Sequence, residues 1–86
     1  MSLDAIRNAI QMTTHPKLSQ LLALLIEHDG LTASAAAPLL DLPPFMVVRF
    51  ASRLVRLGYA TRAKEKGKGY FATLSGREID AAMRRR

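Results

Sequence analysis

The stretch Leu42-Pro43-Pro44 lies between two runs with helical apolar spacing, and it leaves a short chain few ways to fold. Proline lacks the amide hydrogen that a helix interior uses, and its ring drives the residue before it out of the helical region. Leu42 and Pro43 are therefore expected to be extended, and Pro44, with its φ already near the helical value, suits the first turn of a new helix. Upstream, Thr32 is an N-cap candidate for "ASAAAPLL", a short alanine-rich helix that ends at Leu39 and Leu40 and that Pro38 should kink or shorten. Downstream, "PFMVVRFASRLVRL" runs to Gly58. Two helices joined by a tight non-helical turn follow.

The second of these helices has two unlike faces. At about 100° per residue, Val47, Phe50, Ala51, Leu54 and Leu57 share one side, and Phe45, Val48, Arg49, Ser52 and Arg56 fall opposite, with Arg53 on the flank. The first face is core. The second displays arginines.

Around this pair the pattern predicts three further helices and a hairpin. Ser2 can cap a first helix in which Leu3, Ile6 and Ile10 recur at helical spacing up to about Thr13. Pro16 opens a second, "PKLSQLLALLIEHDG", and Gly30 suits its end. Leu18, Leu21, Leu22 and Leu25 form its stripe, while Leu24 and Ile26 lie off it, so the helix is central in the fold or at a subunit interface. After Gly58 the pattern changes to two short strands, Tyr59 to Arg62 and Tyr70 to Thr73, around a tip of lysines and glycines. A last helix starts after Thr73 or after Ser75, which with Glu78 makes a possible capping box, and it shows Ile79, Ala82 and Met83 before Arg84, Arg85 and Arg86. The fold class expected is mainly α with a small β-hairpin.

The 86 residues suffice for one small core but not for a core and a roomy ligand pocket. The absence of cysteine excludes disulfides and thiolate zinc sites, and His15 and His28 lie apart rather than at a metal-ligand spacing. No nucleophile elbow, phosphate loop or paired-carboxylate spacing occurs, so the reading is of a non-enzyme without cofactor or metal. The N-terminus lacks a basic-then-apolar signal pattern and the longest apolar run, Leu21 to Ile26, is too short for a membrane span, which makes a soluble cytoplasmic protein the expectation.

Charge is divided unequally along the chain. Residues 1 to 48 set Arg7 and Lys17 against Asp4, Glu27, Asp29 and Asp41, a net of −2, whereas residues 49 to 86 set eleven Lys and Arg against Glu65, Glu78 and Asp80, a net of +8. Such asymmetry points to a polyanion, most often nucleic acid, with a merely solvated basic surface as the alternative.

The stretch "LTASAAAPLLDLPPFMVVRFASRLVRLGYATR", residues 31 to 62, resembles the winged helix-turn-helix DNA-binding domain of MarR-like bacterial transcriptional regulators, in a register that holds from Leu31 to Gly58 without a gap. Leu40, Leu42, Val47, Leu54 and Leu57 stand where that family places core residues, followed by Gly58 and an apolar residue entering the wing. "ATLSGRE", residues 72 to 78, is similar to the family's Leu-Thr-x-x-Gly-Arg segment, with Ala72 in place of leucine, and this likeness favours Thr73 over Ser75 as the cap of the last helix. The likeness departs from the family at Pro43, Pro44, Phe45 and Met46, where members often carry small hydroxyl residues. It implies one winged helix-turn-helix domain over residues 1 to 86: N-terminal helices to residue 30, the helix-turn-helix over 31 to 58, the wing over 59 to 73 and a C-terminal helix from 74.

What the resemblance implies is double-stranded DNA binding by a small regulator, with helix 44 to 57 in the major groove and hairpin 62 to 70 as a basic wing. The candidate residues are Pro44, Phe45, Val48, Arg49, Ser52, Arg53 and Arg56 on the helix, and Arg62, Lys64, Lys66 and Lys68 on the wing. Arg49, one turn into the helix, is the candidate for guanine; Arg53, Arg56 and the lysines suit phosphates. Related regulators pair through their terminal helices, and Leu3, Ile6, Ile10, Ile79 and Met83 offer the apolar area for a homodimer. A second reading keeps the fold and changes the partner: Phe45, Met46 and Val48 as the contact patch of a protein-interaction module.

Overall fold

The computed structural model describes residues 3 to 65 and 69 to 84. In chain order these form α1 (Leu3–Thr14), α2 (Pro16–Glu27), α3 (Ala33–Leu40), α4 (Pro44–Leu57), β1 (Ala60–Arg62), β2 (Tyr70–Ala72) and α5 (Leu74–Arg84). The order matches the one the sequence predicts, mainly helical with a small antiparallel hairpin, a layout compatible with a winged helix. Among the described residues no helix is long and apolar enough to cross a membrane.

α2 is the centre of the packing. Its stripe of Leu18, Leu21, Leu22 and Leu25 is fully buried, and α1, α3, α4, α5 and β2 all pack against it. Leu24 and Ile26, off the stripe, are partly buried against the same core, which is why the helix tolerates apolar residues almost all round. Each buried leucine contributes about 1.5–3 kcal/mol relative to an exposed one. Met12, Ala36, Ala37, Leu40, Val47, Ala51, Leu54, Tyr59, Ala60 and Tyr70 complete the inner layer, with Leu42 and Leu57 at its edge.

The turn between α3 and α4 forms as the prolines demand. Pro43 is extended, with φ −68° and ψ 150°, and Pro44 opens α4. Thr32 caps α3, its hydroxyl accepting the Ala35 amide at 3.1 Å. Pro38 sits inside α3 without ending it at once, but the helix is only eight residues long. Its exit falls at Asp41, which with Leu42 and Pro43 interrupts the helical pattern of the sequence: Asp41 adopts the left-handed conformation, φ 55°, and lets the Leu42 amide reach back to the Ala37 carbonyl at 3.1 Å. Gly58 does the same for α4, with Tyr59 N–H donating to Leu54 at 2.9 Å. Lys17 of α2 reaches across to donate to the Leu40 carbonyl at 2.6 Å, satisfying another orphan acceptor at the end of α3.

α2 ends at Glu27, earlier than Gly30. His28 is already extended, and Gly30, at φ 73°, belongs to the turn that carries Leu31 to the hairpin. There Tyr70 N–H donates to the Leu31 carbonyl at 2.9 Å, so Leu31 forms a one-residue bridge alongside the two named strands. β1 and β2 pair Ala60 with Ala72, Thr61 with Phe71 and Arg62 with Tyr70. Gly69 is held at φ 87°, where a Cβ would stand 2.5 Å from the Leu31 carbonyl carbon. Of the two caps proposed for α5, Thr73 is the one used: its hydroxyl accepts the Gly76 amide at 3.0 Å and donates to the Gly58 carbonyl at 2.7 Å. That second bond ties the end of α4 to the start of α5 and brackets the hairpin.

Candidate nucleic-acid interface

α4 stands out because packing consumes one of its faces and leaves the other bare. Val47, Ala51 and Leu54 are buried against α2 and α3, and Phe50 and Leu57 are half-buried beside them. On the opposite side Pro44, Phe45, Val48, Arg49, Arg53 and Arg56 are exposed and Ser52 is half-exposed, so the helical candidates do share one surface. Phe45 is 63% exposed and Val48 40%, large values for apolar side chains on a helix that has a core to join. Val55, 39% exposed, extends this outer face and was not among the residues chosen from sequence, although it follows Val48 by seven positions, two helical turns, and the helical period alone sets the two side by side.

The electrostatics of the face are one-signed. α4 contains no Asp or Glu. The ion pairs of the described residues are His28 with Glu27, Arg77 with Asp29 at 3.8 Å and Arg84 with Asp80 at 3.0 Å, none of which involves an arginine of α4. Together with Met46, Val48 and Ser52, Arg49 and Arg53 line a shallow groove along the helix.

The hairpin is packed beside this helix through β1. Lys64, at the start of the tip, is exposed. Lys66 and Lys68 lie outside the described residues. Arg62 differs from the expectation of a free wing cation: its guanidinium donates to the Tyr70 hydroxyl at 3.1 Å and lies 5.5 Å from the centroid of that ring. A guanidinium has five N–H donors, so this engagement holds the side chain against β2 while leaving donors on its exposed side.

The other features are structural. Burial pushes the Tyr59 phenol above the ordinary tyrosine range, and its hydrogen bond with Asn8 of α1 offsets part of that shift. His15 and His28 are exposed at the two ends of α2. No group of three or more His, Cys, Asp or Glu side chains placed to hold a metal occurs among the described residues. On α1, Leu3, Ile6 and Ile10 are exposed as one stripe, whereas Ile79 and Met83 of α5 are partly buried against the core. Of the apolar residues expected at a homodimer contact, those of α1 are therefore the exposed ones; on α5 the exposed apolar side chain is instead Leu74, at the start of the helix. No family model, curated protein or solved structure matches the chain.

Proposed function

We propose that the chain is a winged helix-turn-helix protein that binds double-stranded DNA, with α4 in the major groove and the β1–β2 hairpin as a basic wing, and that it acts as a small transcriptional regulator of the MarR-like kind. One observation carries this reading: an outward face of α4 with three arginines, no acidic residue on the helix and no ion-pair partner for those arginines among the described residues, beside a lysine-bearing hairpin. An α-helix fits the major groove, where an arginine can form a bidentate pair with guanine that discriminates by about 1–3 kcal/mol. Arg49 has that role. Arg53, Arg56 and Lys64, with Lys66 and Lys68, neutralise phosphates and release their counterions, contributing affinity without sequence choice.

A homodimer fits this mode of binding, because two copies joined through α1 carry two recognition helices to half-sites about 34–36 Å apart. The exposure of Phe45 favours the second reading, a protein-interaction module centred on Phe45, Met46 and Val48. Titration of salt separates the two: affinity for duplex DNA must fall steeply as salt rises, whereas an apolar contact must not.

A further inference from the structure

The outer face of α4 is divided along its length. Measured around the axis from Phe45, Ser52 and Arg56 lie within about 20°, Arg49 and Arg53 lie about 40° and 80° to one side, and Val48 and Val55 about 60° and 80° to the other. One half is cationic and the other, with Phe45, Val48 and Val55, is apolar and exposed. The entry turn has no side-chain hydrogen-bond donor at all: Pro44, Phe45, Met46, Val47 and Val48 precede Arg49.

Resting on the DNA-binding reading, we propose that this face recognises a thymine next to a guanine, with Phe45 and Val48 closing on the thymine 5-methyl group and Arg49 on the guanine. In the major groove the base edges present hydrogen-bonding atoms except at pyrimidine C5, which carries a bare C–H in cytosine and a methyl in thymine, so an entry turn without donors has the thymine methyl as its one sizeable apolar group to meet. Phe45, Val48 and Arg49 are spaced i, i+3, i+4 and are neighbours on the helix surface, with Cβ atoms about 5–6 Å apart. Long side chains on a helix lean toward its N-terminus, which brings the Arg49 guanidinium back toward Phe45. A guanidinium and an aromatic edge side by side match a guanine and a methyl-bearing pyrimidine one step apart. The lack of any acidic residue on α4 keeps the whole face compatible with DNA.

The test starts from the duplex selected by the full chain from a random pool. Each thymine is replaced in turn by deoxyuridine, which removes the methyl and leaves the hydrogen-bonding edge unchanged. At one thymine beside the guanine whose preference is lost in Arg49→Ala, affinity should fall about fourfold, the worth of one buried methyl. At that position 5-methylcytosine should bind about fourfold tighter than cytosine. Phe45→Ala, whose folding is checked by circular dichroism and is protected by the exposure of that side chain, should bind thymine and deoxyuridine duplexes equally; Val48→Ala should reduce the difference. Equal binding of thymine and deoxyuridine duplexes by the wild-type chain, with a site preference that still depends on Arg49, overturns the inference and leaves DNA reading in place. Absence of any salt-sensitive, sequence-selective binding overturns both.

Discussion

Gly76→Ala should destabilise the protein by about 2 kcal/mol, although alanine is the better helix former. Gly76 is buried in the first turn of α5, where an added Cβ would overlap the Tyr59 carbonyl oxygen, stand 3.0 Å from the Tyr59 carbonyl carbon and 3.2 Å from Leu22 Cδ1. The first two obstacles are backbone. The Tyr59 carbonyl also accepts the Thr73 amide at 3.0 Å, so it cannot swing aside without loosening the α5 cap. Leu22 belongs to the fully buried stripe of α2 and has little space to yield. Overpacking of this kind typically costs about 1–3 kcal/mol, and a clash with backbone belongs at the upper end. Exchange of glycine for alanine in a helix returns at most about 1 kcal/mol. The net is about 2 kcal/mol, a fall in Tm of about 8–16 °C for a domain of this size. Thermal and urea unfolding followed by circular dichroism measure it, with Ser75→Ala, an exposed neighbour, expected within about 0.5 kcal/mol of wild type. A Gly76→Ala protein as stable as wild type, or more so, would refute the close approach of α5 to Tyr59 and with it the bracketing of the hairpin.

Two further outcomes follow from the same packing. The Tyr59 phenol has its pKa raised by burial, so its contribution is fully present below pH 10, the ordinary tyrosine value, and is lost as pH rises through the higher folded value. Wild type should therefore lose stability above about pH 10 more steeply than Tyr59→Phe, a difference that unfolding curves at pH 9 to 11 would reveal and that parallel curves would contradict. Replacing Leu3, Ile6 and Ile10 together by serine should shift the protein from dimer to monomer in light scattering while leaving its circular dichroism unchanged, because these side chains are exposed rather than core. A wild-type protein already monomeric at high micromolar concentration, with and without DNA, would remove the dimer.

What was legible in the sequence was whatever repeats at a helical period or breaks it. The buried and exposed faces of α4 follow from the spacing of Val47, Ala51 and Leu54, and the turn at Leu42-Pro43-Pro44 from the chemistry of proline. Contacts distant along the chain carry no such signal. The likeness of residues 72 to 78 to the family segment favoured Thr73 over Ser75, but the bond that ties Thr73 to Gly58, fifteen residues away, left no local trace, and Leu31 pairs with Tyr70 as a single residue, too short to show alternation. The left-handed Asp41 could be suspected from the tolerance of aspartate for that conformation, but nothing local distinguishes it from an ordinary turn residue. At the candidate interface the arginine face was legible, whereas the hold of Tyr70 on Arg62 depended on strand register, which pairs the two directly.

The central claim, that α4 and the hairpin grip a DNA backbone, is tested most directly by the salt dependence of duplex affinity for wild type and for the Lys64→Ala, Lys66→Ala, Lys68→Ala triple variant. Each phosphate contact contributes about −0.9 to the slope of log K against log salt, so three to five contacts per chain predict a slope of roughly −3 to −5 for the wild type. The variant should bind a selected and a scrambled duplex more weakly by the same factor, and its slope should be shallower by about 0.9 for each contact removed. A wild-type slope near zero, or a triple variant that binds both duplexes as tightly as wild type, would contradict the account.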